Sequence, residues 1–318
     1  MTASASASEQ LPAMPLDAWA ETKETLHRFV QIVGKVRLAE SVRRNHWWNV
    51  AFHVTGRGIT TRPMGTDPVF TIDFDFVAHR LLLHTINGRT ASFSLLNTSV
   101  ADFYRDLFDA LRAVGVSTSI RHPEPFDLAD ATPFAQDTAH DTYDAPWVTR
   151  YWHVLTQVSL MLEAFAARYS GKTSPVHHFW HTLDLAVTRF SDRVVEQSAA
   201  IDPVTREAYS REVISCGFWF GDDNIPAPAF YAYTAPEPAG LADQPLHPAI
   251  AQWVPRGSGH LAVLGYDDVR ATADPTATVL DFYESAYQAG ARLAGWDADK
   301  LACAGGATDP HASKPANA

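Results

Sequence analysis

Apolar positions recur along this chain with two different periods, and the changes of period mark its elements. Over residues 17–39 the spacing is helical, with Leu26, Phe29, Val30 and Val33 on one stripe and Asp17 placed as an N-cap. His27 and Gln31, four apart, share a face beside that stripe. Gly34 falls inside this helix, where glycine costs about 1 kcal/mol relative to alanine, so a close approach of another element is expected there. From residue 46 the period is two: His46, Trp48, Val50, Phe52 and Val54 alternate with Trp47, Asn49, Ala51 and His53, which predicts a strand over 46–54. Strands follow over 69–76, 80–85 and 90–95, the last two joined by Asn87-Gly88, a strong hairpin signal. Ser99 caps a helix to about 114, with Val100, Phe103, Tyr104, Leu107, Phe108 and Leu111 inward, and a short strand is predicted over 116–121.

Residues 122–146 are rich in Pro, Asp and Thr and read as a linker or long loop. Beyond it the order repeats: a helix over 147–169, a strand over 176–190, strands over 211–220, 229–234 and 260–264, and a helix over 275–294 with Pro275 in its first turn. Residues 235–259 read as irregular. His27-x-x-x-Gln31 and His153-x-x-x-Gln157 open the two halves. His46-Trp47-Trp48 and His178-Phe179-Trp180 begin the strands after them, and Asp102-Phe103-Tyr104 and Asp281-Phe282-Tyr283 lie in the closing helices. The expectation is an α+β fold of two similar helix–four-strand–helix halves, an internal duplication packed around a central cleft. The halves are 16–121 and 147–302, with disordered tails at 1–15 and 303–318.

Composition narrows the function classes. The 318 residues carry 25 Lys and Arg against 36 Asp and Glu, a formal net charge of −11, which disfavours binding a phosphate backbone. There is neither an 18-residue apolar run nor a signal-peptide pattern, so no membrane partner and a cytoplasmic location are expected. Two cysteines, Cys216 and Cys303, build neither a disulfide framework nor a thiolate zinc site. G-x-G-x-x-G, Walker, G-x-S-x-G and H-E-x-x-H signatures are absent.

The densest chemistry lies in 174–193, with His177, His178, His181, Trp180 and Asp184. On a strand His178 and Asp184 are about 20 Å apart and His177 and His181 about 13 Å, too far to share an ion. A site must therefore be assembled from several elements. The candidate set is His178, His46 and Glu212, as acid–base groups or as ligands of a divalent metal; Glu212 alternates with Ile214, Cys216 and Phe218, a carboxylate on an otherwise apolar strand face. Trp48, Trp180, Trp219 and Tyr231 offer flat walls for a ligand, and Arg189 a bidentate partner for a carboxylate or phosphate. The bland alternatives are an aromatic half-core and a structural ion pair. The first function expected is an enzyme acting on a small, partly apolar or aromatic molecule at a His/Glu site between the halves; the second is a non-catalytic small-molecule-binding protein with a Trp/Tyr-lined pocket. A structural or interaction protein with an aromatic core is the third.

The motifs Gln31-Ile32-Val33-Gly34-Lys35-Val36-Arg37-Leu38, Asn45-His46-Trp47-Trp48 and Asp184-Leu185-Ala186-Val187-Thr188-Arg189-Phe190-Ser191 carry a likeness. With Arg206-Glu207-Ala208-Tyr209-Ser210 and Ala229-Phe230-Tyr231-Ala232-Tyr233, the chain resembles a family of uncharacterised bacterial proteins known only as a domain of unknown function. The resemblance spans about residues 15–300. It implies one shared architecture and no particular activity. His181 and Phe220 depart from the family pattern, where Gly and Pro are frequent; His178 and Glu212 fit it better.

Overall fold

The computed structural model describes residues 11–222 and 225–309. These form two compact units, one of 14–156 with 178–184 and one of 11–13, 157–177 and 185–309. The class is α+β, with two antiparallel sheets of five and six strands.

The five-strand unit opens with helix α1 (Ala20–Glu40). Trp19, not Asp17, stands at its cap, because Leu16–Ala18 form a separate 3-10 turn. Strands β1 (His53–Thr55), β2 (Gly58–Thr60), β3 (Phe70–Asp75), β4 (Arg80–Thr85) and β5 (Thr90–Ser94) form a meander in chain order. The β4–β5 hairpin turns where Asn87-Gly88 predicts, with Gly88 at φ +83°, a conformation only glycine adopts freely. Helix α2 (Val100–Ala113) is capped by Ser99, whose hydroxyl accepts from the Asp102 amide at 3.1 Å. Alternation in β3 buries Phe70, Ile72 and Phe74. Phe29 of α1 stacks on Phe103 of α2 at 4.2 Å, and Phe103 on Phe74 at 6.1 Å.

Several expectations over this unit are corrected. The strand predicted from residue 46 is a tight turn: His46 and Trp47 take φ of 54° and 59°, and Val50 donates to the Trp47 carbonyl at 3.1 Å. Its backbone groups are thus satisfied locally, and only His53–Thr55 joins the sheet. Residues 116–120 form no strand. Residues 122–144 do form a long loop, with a 3-10 turn at Phe134–Gln136, and this loop packs within the unit. Phe134 is fully buried, Phe126 exchanges backbone bonds with the Gln31 amide, and Asp137 pairs with Arg28 at 3.3 Å. Helix α3 (Ala145–Ala166) belongs to this unit as far as residue 156.

The six-strand sheet has the order β10-β11-β9-β8-β7-β6. Its strands are β6 (His177–Phe179), β7 (Asp184–Val194), β8 (Arg211–Trp219), β9 (Ala229–Ala235), β10 (Gln252–Arg256) and β11 (Gly259–Gly265). The single strand expected over 176–190 is broken by a turn in which Leu183, at φ 55°, donates to the Phe179 carbonyl. Helices α4 (Pro203–Ala208), α5 (Tyr266–Arg270), α6 (Pro275–Leu293) and α7 (Ala298–Leu301) complete the set. Two of these elements, α4 and β10, lie in stretches without apolar periodicity. Helix α6 starts at Pro275, with Asp274 accepting from the Ala277 amide at 2.9 Å, and lies along β8 and β9.

The matched motifs sit in unlike surroundings. His27 is buried and His153 exposed; His46 lies in a half-exposed turn, whereas His178 is fully buried in a strand. The two tails also differ from expectation where they are described. Leu11 and Met14 are buried, Tyr266 donates to the Pro12 carbonyl at 2.8 Å, and Arg270 to that of Leu11 at 2.7 Å. Cys303 is buried too, and its amide bonds the Arg168 carbonyl. Residues 305–309 are exposed, and 1–10 and 310–318 lie outside the described residues.

Candidate functional site

In the five-strand unit the histidine-rich segment packs on α1. Gly34 makes this possible: a Cβ there would stand 2.3 Å from Trp180 Cγ. His27 Nε2 lies 3.1 Å from the Trp180 carbonyl and 3.2 Å from the Gln31 amide nitrogen. Gln31 is itself fixed by Phe126, donating to its carbonyl at 3.0 Å and accepting from its amide at 2.6 Å. His178 exchanges backbone bonds with Phe52 and is hydrogen-bonded through Nε2 to the Tyr151 hydroxyl. Its Nδ1 is buried without a partner. Burial drives the pKa of both His27 and His178 from 6.5 to about 3, with nearby cationic or imidazole groups adding to the effect. His181 moves the same way by burial, against Asp184 and Asp127. These imidazoles are neutral at physiological pH and tie a turn to a helix. Trp180 sits edge-on to Phe126 with ring centroids 6.4 Å apart, a wall already filled by protein.

Glu212 belongs to the six-strand unit. Its Oε2 accepts from Arg193 at 2.8 Å, Trp296 Nε1 at 2.8 Å and Ser191 at 3.0 Å. A histidine partner was the expectation for this carboxylate; Arg193 and an indole fill that place. His46, in the other unit, has its ring 5.9 Å from that of Trp48, over which Arg44 lies at 5.9 Å. Trp219 and Tyr231 stand side by side on β8 and β9, ring centroids 5.3 Å apart. Among the described residues no group of three or more His, Cys, Asp or Glu could hold a metal ion.

Of the expected ligand residues, Arg189 has the most open chemistry. It is 1% exposed, and its guanidinium lies 3.7 Å from the Phe165 ring, 4.2 Å from Tyr287 and 5.1 Å from Tyr169. Nη2 donates to the Phe165 carbonyl at 2.6 Å; Nε is buried without a partner; Glu284, the nearest carboxylate, stops at 3.9 Å, beyond hydrogen-bond range. A groove of about 410 Å³ opens here, lined by Arg168, Arg189, Glu284, Tyr287 and Gln288 among others. Glu284 and Gln288 also line a neighbouring groove of about 560 Å³ with His247, Asp281 and Ser285. Arg168 is exposed at the rim. The sequence reading missed the α6 contribution, although Glu284, Tyr287 and Gln288 stand at i, i+3 and i+4, the spacing of one helix face.

Fold and groove define an α+β protein with two antiparallel sheets and, in the six-strand unit, a groove lined by two arginines, one glutamate and one tyrosine among others. The chain belongs to a family of unknown function, DUF5996, whose profile matches residues 11–303. No curated protein and no solved structure matches it. Among the described residues no helix is long and apolar enough to cross a membrane.

Proposed function

We propose that the protein is a small-molecule-binding protein whose six-strand unit takes a small carboxylate with an aromatic or apolar body. The observation that carries this reading is the buried Arg189 guanidinium at a groove of ligand size, incompletely paired and walled by Tyr287. Small-molecule sites are commonly 300–1,000 Å³ clefts with aromatic walls and a few polar groups that fix orientation. A guanidinium in such a place receives a carboxylate through charge-assisted hydrogen bonds, and Arg168 at the rim adds attraction. Glu284 is the group a bound carboxylate would displace. The enzyme reading at His178, His46 and Glu212 is less favoured, since Glu212 is neutralised by Arg193 and His178 is buried and neutral.

Isothermal titration with benzoate and with its neutral isostere benzamide tests this. Benzoate should bind and benzamide should not; Arg168→Gln should weaken binding, and Glu284→Gln should strengthen it by removing the competing charge. Equal behaviour of the two compounds, or a Glu284→Gln variant that binds no better, contradicts the reading.

A further inference from the structure

A second set of unmet donors lies in the other unit, at the C-terminal end of α1. Arg37 is 5% exposed, yet its Nε and Nη1 are buried without hydrogen-bond partners, and among the described residues no carboxylate is ion-paired with it. Ser41, one helical turn on, has its hydroxyl buried without a partner, and its amide bonds the Arg37 carbonyl at 2.9 Å. Trp47 Nε1, in the turn that follows, is buried and unpartnered as well. Four buried donor atoms on three residues of this stretch are therefore unsatisfied, in a protein interior where nearly every buried polar group finds a partner.

The surroundings are cationic. Burial, helped by the nearby Arg62 and Arg44, brings the Arg37 pKa down to about 10, and no acidic group among the described residues raises it. Both are exposed, and Arg44 lies over the Trp48 ring at 5.9 Å. The backbone gathers these residues: Gly65 donates to the Glu40 carbonyl at 2.9 Å, which anchors the 62–65 loop to the helix end, and the Arg44 amide donates to Asn49 Oδ1 at 3.2 Å. Three non-glycine residues of this corner, His46, Trp47 and Arg62, have left-handed φ. Backbone held in sparsely populated conformations clusters at ligand clamps and active sites.

A buried cation without a counter-charge is among the costlier arrangements in a fold, and removing it into partnership relieves that cost. We propose that Arg37, Ser41 and Trp47, with Arg44 and Arg62 closing over them, bind a phosphate group. Phosphate suits the corner better than a carboxylate. It has more acceptor oxygens for the four unmet donors, and its double negative charge answers three arginines, none of them ion-paired among the described residues.

The test is thermal unfolding of the full chain in inorganic phosphate, with sodium chloride at matched ionic strength and sodium acetate as comparisons. Phosphate should raise the melting temperature saturably, beyond the chloride control and beyond acetate. Arg62→Gln, an exposed change that leaves the fold intact, should weaken the apparent phosphate affinity by about tenfold, as expected for loss of one charged hydrogen bond. Arg37→Met should melt no lower than the native chain in the absence of phosphate and should lose the phosphate response. Arg168→Gln, in the carboxylate groove, should leave that response unchanged, so the two sites fail or succeed separately. The proposal is overturned if phosphate stabilises no more than chloride, if Arg62→Gln responds like the native chain, or if acetate does as well as phosphate.

Discussion

The histidine segment makes a pH prediction that can be worked out in advance. His27 and His178 have folded pKa values of about 3 against an ordinary 6.5, because burial opposes their charging. The sign follows from proton counts. Between 6.5 and 3 the unfolded chain binds protons that the folded chain does not, so stability is full above 6.5 and is lost as pH falls through that window. Each pH unit below 6.5 removes about 1.4 kcal/mol per histidine, so at pH 5 the pair accounts for a loss of roughly 4 kcal/mol. The window from 7 to 5 is the useful one, since carboxylates titrate mostly below it. Urea denaturation followed by tryptophan fluorescence at pH 7, 6 and 5 measures the loss. A His27→Gln/His178→Gln double variant, whose amides reach the positions of the Nε2 atoms, should show most of it removed. Stability that is flat from pH 7 to 5, or a double variant that loses as much as the native chain, refutes the burial argument and reopens His178 as an acid–base group.

Three further outcomes follow from packing and pairing. Gly34→Ala should destabilise by about 1–3 kcal/mol in urea melts, overpacking against Trp180 outweighing the roughly 1 kcal/mol gain in helix propensity; a neutral or stabilising result would show that the helix does not meet the indole. Leu11→Ala should cost about 2–5 kcal/mol as a core truncation, whereas a melting temperature unchanged by it would mean that this segment does not dock. Glu212→Gln should cost no more than about 1 kcal/mol, because Arg193 is half exposed, and should leave benzoate binding untouched; lost binding would return Glu212 to a ligand site.

Local signals made much of the fold legible. Asn87-Gly88 located its hairpin, Ser99 its helix start, and Pro275 the first turn of α6, because each residue acts through its own backbone geometry. Gly34 even announced the contact that Trp180 makes. Alternation misled at His46-Trp47-Trp48, where a period of two also describes apolar side chains leaving a tight turn in opposite directions. It misled again over 176–190, where a left-handed Leu183 interrupts an otherwise strand-like run. The site was legible only in part. Arg189 was legible as a partner for a carboxylate or phosphate near the end of a predicted strand, but its groove is assembled from residues 168, 189, 284, 287 and 288, which no local spacing brings together. Arg37 was invisible for the opposite reason: an arginine in a helix reads as a surface residue until burial and missing partners are measured.

The carboxylate groove has one direct observable, the side-chain resonances of Arg189 in a nitrogen-edited NMR spectrum, assigned by their absence in Arg189→Lys. On titration with benzoate these resonances should move and saturate with the affinity found by calorimetry, while those of Arg37, assigned likewise from Arg37→Met, stay in place. Benzoate binding that leaves the Arg189 signals unmoved, or no arginine signal that responds at all, would contradict the assignment of this groove as the binding site.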